Sequence, residues 1–393
     1  MDRMLYFFNP EHDLALANND RNFNAPQQAK QLARDLACLP LWYAPNESTI
    51  LTNSQKGNWA SKIQLLFPQI AESKLTSVPD FSQITILSPW GWDTAVCKQL
   101  MLYGASSDLL PTDLQLHTIR KLSHRNIAIK ALQFIRANSL SSAQLPQPAQ
   151  ELTTMEDVKR FALTYPQVIF KAPWSGSGKG LCWSRDKMTD SRRGWCRNVI
   201  DKQGSVIAEP IYDKRQDFAL EFACRDGEVS FAGYSLFETE KGIYRSNFLL
   251  NNEAIIEKLT EDGIDSAQLL SVQQILQTFI SSEIAPDYSG MLGIDMFTYI
   301  ENGQIRLHPC VEINLRMTMG CVARIFYDRF VAPGKYGRFY IDHYPTPGAL
   351  WADHLQRETS LPLKLNEDRI TEGYLSLTEI NPSSRYRVRI EIE

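Results

Sequence analysis

The sequence predicts a multidomain protein of mixed α/β and α+β class: a small doubly wound domain, then a larger α+β region rich in antiparallel strands. Three observations carry this. At 393 residues the chain is too long for one ordinary core. Residues 1–115 alternate short apolar runs with helical stretches, the pattern of a parallel sheet with crossover helices. From Val168 onward, apolar runs succeed one another across short turns, which is the pattern of antiparallel pairing.

Taken in order, Met4 to Phe8 is a short apolar run broken by Asn9-Pro10, a buried strand entering a loop. Asp13 to Leu36 holds helix-forming residues. Pro40 to Tyr43 and Ile84 to Ser88 are expected as strands, the second running into Pro89-Trp90-Gly91-Trp92-Asp93 and a helix from Thr94 to Tyr103. Leu116 to Asn138 is helical in pattern, and Ser139 to Pro148, rich in Ser, Gln and Pro, is a linker. Thr153-Thr154-Met155-Glu156 carries the capping residues of a helix that runs to Tyr165. Strands are then predicted at 168–171, 181–184, 206–211, 218–224, 229–235, 293–300 and 304–313, with a helix at 266–281. The tail ends in two more strands, 373–377 and 386–393.

Composition excludes several classes. Apolar residues make up 44% and charged residues 22%, as in globular proteins that fold in water. A net charge of -4, with no block of Lys and Arg, argues against a general nucleic-acid or anionic-membrane binder. Seven cysteines at irregular spacings, with no CxxC pair, point to free thiols and a cytoplasmic setting. No stretch approaches the roughly 20 apolar residues of a membrane span, and the opening apolar run is too short for a signal peptide.

Two segments carry chemistry. In Lys171-Ala-Pro-Trp-Ser175-Gly176-Ser177-Gly178-Lys179-Gly180, three glycines within five residues let backbone amides approach an anion, with Lys171 and Lys179 adding charge. Gly180 stands where a P-loop needs Ser or Thr, and a strand follows where a dinucleotide fingerprint needs a helix. The alternative is a surface hairpin. Further on, Asp295 and Glu312, Asn314 and Arg316 lie on consecutive strands joined at Glu301-Asn302-Gly303. Period two puts Glu312, Asn314 and Arg316 on one face, within reach of Asp295. Two carboxylates and an amide oxygen suit Mg²⁺, and Arg316 suits an anionic oxygen. The alternative is a solvated strand face with one ion pair.

In this order and spacing the segments resemble the ATP-grasp superfamily, which includes biotin carboxylase, carbamoyl-phosphate synthetase and the D-alanine–D-alanine ligases. The match runs from about Leu116 to Arg324. The resemblance implies a Rossmann-like pre-ATP-grasp domain over 1–115 and an ATP-grasp domain over 116–330. Within the latter it implies a lid subdomain at about 145–210, a larger one at 211–330, and an extension over 331–393 packed on them. It implies that Lys171 and the loop from Ser175 to Gly180 hold the β- and γ-phosphates. Glu209 and the Ile211 backbone would hold adenine, and Asp217 the ribose. Asp295, Glu312 and Asn314 would hold Mg²⁺, with Mn²⁺ as an alternative. Arg125 stands where the family has a lysine on the α-phosphate, keeping the charge and changing the donor geometry. Lys241 or Arg245, preferably Arg245, would neutralise the γ-phosphate, and Arg316 the oxyanion.

The implied reaction is ATP-dependent activation of a small carboxylate as an acyl phosphate, attacked by an amine or thiol, with release of ADP and phosphate. The catalytic set is then Arg316, Arg245 and Lys179. A small-molecule kinase or a non-catalytic nucleotide-binding scaffold remains as an alternative, and a homodimer is compatible with the sequence. Substrates are expected beyond the carboxyl ends of the parallel strands, where Asn9-Pro10-Glu11-His12-Asp13 and Trp90-Gly91-Trp92-Asp93 lie. His12 is read either as a base or carboxylate binder or as a structural histidine, and Trp90 and Trp92 as pocket walls or packing residues.

Overall fold

The computed structural model describes residues 3–52, 58–139, 145–176, 180–240 and 243–393. Three sheets organise them. The first is parallel, with β1 (Met4–Phe7) between β2 (Thr49–Leu51) and β4 (Ile86–Pro89), and β3 (Lys74–Thr76) outside β2. The chain winds one way from β1 through β2 to β3 and then crosses back to β4. The crevice at the carboxyl ends of β1 and β4 is therefore the switch point where open α/β sheets take ligands. Asn9–Asp13 and Trp90–Asp93 leave the sheet there.

Local chemistry corrects several expected elements in this region. Asp13 to Leu36 is two helices, α1 (His12–Asn18) and α2 (Gln27–Asp35). Asn19 stops α1 in the left-handed region (φ 53°), and Pro26 opens α2. Pro40 to Tyr43 is no strand: Leu39–Trp42 forms a 3₁₀ turn with Pro40 in its first positions and all four side chains buried. Helices α3 (Asn58–Leu66) and α4 (Thr94–Leu102) complete the region. The helical stretch before the linker is also broken, into α5 (Asp113–Leu122) and α6 (Asn126–Asn138), with Arg125 at the start of α6.

The second sheet is small and antiparallel. It has β5 (Gln150–Leu152), β6 (Val168–Lys171), β7 (Leu181–Ser184) and β8 (Val206–Pro210), in the order β5-β8-β6-β7. Helices α7 (Met155–Thr164) and α8 (Asp190–Gln203) cover it, burying Val158, Phe161, Cys196 and Val199 against Phe170 and Ala208.

The third sheet has nine strands. Its first part is β9 (Asp213–Arg225), β10 (Glu228–Glu240), β11 (Ile243–Leu249), β12 (Gly290–Glu301) and β13 (Gln304–Asn314). The segment around Arg245, where no strand is expected from the sequence, is β11. Helices α9 (Asn252–Glu261), α10 (Ser266–Glu283) and α6 cover one face. The other face carries α11 (Met319–Phe330). The segment after 331 does not pack on this sheet as an extra layer; it extends it. β14 (Gly337–His343) pairs with the open edge of β11, and β17 (Tyr386–Ile392), β16 (Arg369–Ser376) and β15 (Lys364–Asn366) follow outward, with α12 (Ala349–Ser360) against β16.

One hydrophobic core joins both ends of the chain. Trp42 and Phe67 pack with Phe326 and Phe330 of α11 and with Phe339, Val388 and Ile390 of the last strands. Each such fully buried Phe contributes roughly 1.5–3 kcal/mol. The Trp42 indole also donates to the Leu377 carbonyl (2.6 Å). This core seats the first sheet over the end of β13, where the Met317 amide donates to the Trp90 carbonyl (2.9 Å). The switch-point crevice thus faces Arg316.

Candidate active site

The site is built at the seam of the three sheets. The break between α5 and α6 brings Arg125 to it. Its Nε donates to the Ala172 carbonyl (3.0 Å), and one terminal nitrogen donates to the carbonyl and hydroxyl of Ser175 (3.3 and 3.2 Å). The other lies 2.5 Å from Glu312 Oε2. One buried guanidinium therefore ties the root of the glycine loop to β13. Lys171, at the end of β6, is buried in an ion pair with Glu209 of β8. Both line a cleft with Arg125, Leu132, His308 and Val311.

The glycine loop is described at its two ends. Ala172 donates to the Gly180 carbonyl (2.8 Å), and a side chain on Gly180 would lie 2.1 Å from Ser175 Oγ, so glycine there lets the ends meet. A side chain on Gly176 would lie 2.1 Å from Asp13 Oδ2. Ser177, Gly178 and Lys179 lie outside the described residues, as does Lys241. Just past the end of β8, the Ile211 amide donates to the Gln167 carbonyl (3.1 Å). Asp217 accepts from Lys214 Nζ (2.9 and 2.7 Å) and from the Thr239 hydroxyl (2.7 Å).

The acidic strands pair as the period-two reading requires. Asn302 (φ 50°) and Gly303 (φ 75°) make the tight turn between β12 and β13. The register sets Asp295 opposite Glu312 and Gly293 opposite Asn314. Burial, with the Glu312 and Glu221 carboxylates nearby, pushes the Asp295 carboxyl up to about 8. Arg316 follows the strand end and forks onto Asp13 (2.9 and 2.8 Å). Arg245 is not brought here. It sits at the far, exposed end of the β10–β11 hairpin, where its partner is Glu240, because a bulge at Glu238/Thr239 shifts the strand register.

The switch-point loops meet as well. Asn9 Nδ2 donates to the Gly91 carbonyl (2.9 Å), and Asp93 caps α4 through the amides of Ala95 and Val96 (2.9 and 2.8 Å). His12 Nδ1 lies 3.1 Å from Asp93 Oδ2, and both residues are buried. A side chain on Gly91 would strike the His12 ring at 2.5 Å. His12 is thus locked in place by structural contacts while lining the cavity beside Arg316. Trp90 packs edge-on against Phe8 and Tyr43 in the core, and Trp92 packs against the neighbouring clusters.

Two site residues have no place in the sequence reading, Glu221 and His308; Asp13 entered it only as the end of the Asn9–Asp13 cluster, with no role of its own. His308 borders the Lys171–Glu209 cleft; burial pushes its ring down to about 4, and its Nδ1 has no hydrogen-bond partner among the described residues. A lone histidine on a strand gave no signal. Glu221 did give one, as a carboxylate inside the apolar run Phe218-Ala-Leu-Glu-Phe-Ala-Cys224. It is buried on β9 opposite Gly293, accepting from the Thr318 hydroxyl (3.2 Å) and the Cys321 thiol (2.9 Å). Side chains on Gly293 or Gly320 would collide with it.

Burial pushes the Glu221 carboxyl from 4.5 up to about 7, against the pull of its hydrogen bonds. Between these values the folded protein keeps a proton that the unfolded chain releases, so this group makes stability fall as pH rises from about 4.5 to 7. Glu221→Gln removes that dependence. Urea unfolding at pH 5 and pH 8 is expected to show the wild type losing stability relative to the variant at the higher pH. Parallel pH profiles would mean that Glu221 does not hold its proton in the fold.

No family model matches the sequence, and no curated protein does. Solved structures do match. The N5-carboxyaminoimidazole synthetase of Staphylococcus aureus, complexed with ADP, superposes with a TM-score of 0.51 at 12% identity, covering 100% of this chain and 94% of that one. The biotin carboxylase of Campylobacter jejuni, in its β-γ-ATP complex, gives a TM-score of 0.51 at 12% identity, covering 100% and 86%. Both matches run across the parallel sheet, the small antiparallel sheet and the nine-stranded sheet, and the chain has the ATP-grasp fold.

Proposed function

We propose that the chain is an ATP-dependent ligase that activates a small carboxylate as an acyl phosphate and passes it to an amine or thiol. The observation that carries this is the pairing of Asp295 with Glu312 across two strands, with Asn314 and Arg316 next in line, beside the cleft of Lys171 and Glu209. The donors suit Mg²⁺. All are oxygens, and among the described residues no three His, Cys, Asp or Glu gather as a metal site. Mg²⁺ is commonly held by one or two carboxylates and completes its shell with phosphate oxygens and water. Asp295, Glu312 and Asn314 would hold it, or Mn²⁺, and when bound it would neutralise phosphate charge.

The chain's own residues do the rest. Lys171 and Arg125 provide fixed positive charge for the phosphates of ATP, and the glycine loop supplies amides. Glu209 and the Ile211 backbone would hold adenine, and Asp217 the ribose. The substrate carboxylate oxygen attacks the γ-phosphorus, the bond to the β-bridging oxygen breaks, and ADP leaves. The nucleophile then attacks the acyl carbon, phosphate departs, and a proton is lost from the nucleophile. Arg316 is placed to meet the oxyanion of that addition. Alignment and charge neutralisation are the protein's contribution.

The test is a screen of carboxylates crossed with amines and thiols, read as ADP release. ADP formation that needs both a carboxylate and a nucleophile is expected. Release with one substrate that emerges phosphorylated would identify a kinase. Nucleotide binding without ADP under any pair would identify a scaffold.

A further inference from the structure

An arginine side chain has five N–H donors. In Arg316, Nε donates to Asp13 Oδ1 (2.9 Å), and one terminal nitrogen donates to Asp13 Oδ2 (2.8 Å) and Asn314 Oδ1 (3.1 Å). The other terminal nitrogen donates to the Met317 carbonyl (3.2 Å). Four donors are committed and one is left. A two-point grip on a carboxylate or phosphate, the usual use of a guanidinium, is closed while Asp13 holds the fork.

Asp13 is built into that position. The preceding His12 is buried between Asp93 and Gly91, which fixes the first turn of α1. On the outer side, Gly176 packs directly on the Asp13 carboxylate. The carboxylate is still partly open to the cavity, at 22% side-chain exposure against 15% for Arg316. That cavity is also lined by Glu312, Asn314 and Ser175. A displaceable plug would need a free swing, and here Gly176, the first turn of α1 and Arg316 hold the carboxylate, which is open toward the cavity.

We propose that Asp13 is a positioning residue of the ligase site: it holds Arg316 as a one-point donor. Arg316 is then a weak binder of ground-state anions, and its last N–H is kept for the oxygen on which charge grows during acyl transfer. An interaction made equally with ground and transition state adds nothing to the chemical step, so restricting the arginine's grip favours turnover. It follows that α1, at the mouth of the N-terminal sheet, contributes a residue to the reaction centre. The inference rests on the ligase reading given above.

Its mark is a gain of binding on removing a side chain. The probe is inorganic phosphate, titrated calorimetrically into the full chain with and without Mg·ADP. Asp13→Ala is expected to tighten phosphate by about tenfold, the weight of one charge-assisted hydrogen bond regained. Asp13→Asn, which keeps the shape and loses the charge, is expected to give a smaller gain and decides the matter if Asp13→Ala does not fold. The gain should vanish in an Arg316→Met background, which separates a freed guanidinium from a general change in charge. Structural damage would weaken phosphate binding. Unchanged or weaker phosphate binding in the folded variants, or a gain that survives Arg316→Met, overturns the proposal. Failure of Mg·ADP to bind the wild type would instead sink the ligase reading, while the phosphate comparison without nucleotide still decides the role of Asp13.

Discussion

Glu312→Gln is expected to lower turnover by about a thousandfold or more, equivalent to about 4 kcal/mol of transition-state stabilisation. The substitution keeps the size and shape of the side chain and removes one charge from the Asp295–Glu312 pair. Mg²⁺ binds amide oxygens far less well than carboxylates in a site with so few protein ligands. The fold should survive, because Arg125 loses Glu312 but keeps the carbonyls of Ala172 and Ser175. Two measurements decide. ADP release should fall to background, and Mg²⁺ should no longer strengthen binding of a non-hydrolysable ATP analogue. Wild-type turnover in the variant would remove Glu312 from the metal site. Lost turnover with an intact Mg²⁺ effect would place its importance in holding Arg125.

The parts of this molecule that were legible in the sequence are those set by local pattern. The β12–β13 hairpin could be read because Asn302-Gly303 demands a tight turn and polar residues alternate on one face; the observed register sets Asp295 opposite Glu312. The strand ending at Lys171 could be read because the apolar run from Val168 stops there, ahead of Pro173 and the glycines. The parts that stayed hidden depend on contacts between distant segments. Nothing near Asp13 states that its partner is 303 residues away. Pro40 to Tyr43 has the apolar content of a strand, yet it folds as a 3₁₀ turn because Trp42 is drawn into a core with Phe326 and Phe330. The strand holding Arg245 was missed because Arg245-Ser246-Asn247 puts polar residues through its middle, although its partner β10 is only a hairpin away. The last strands were foreseen singly at 373–377 and 386–393, while their place in the large sheet depends on the open edge of β11.

Lys171→Ala is expected to show two separable losses. The ammonium and the Glu209 carboxylate are both buried and pair with each other across β6 and β8. Removing the lysine leaves a buried, unpaired carboxylate, which costs about 3–5 kcal/mol of stability. Nucleotide affinity should fall as well, by about 1–3 kcal/mol, if the ammonium also meets phosphate. A second variant separates the two. In Lys171→Ala/Glu209→Gln the stranded charge is gone, so thermal and urea stability should recover most of what the single change lost. Affinity for the ATP analogue should not recover, because on the proposed reading the phosphate contact is still missing and Glu209, proposed to hold adenine, has been altered. Recovery of both would show that the lysine acts only as the counter-ion of Glu209. Unchanged affinity in the single variant would reduce Lys171 to a structural ion pair at a strand end, leaving Arg125 and the glycine loop to hold the phosphates.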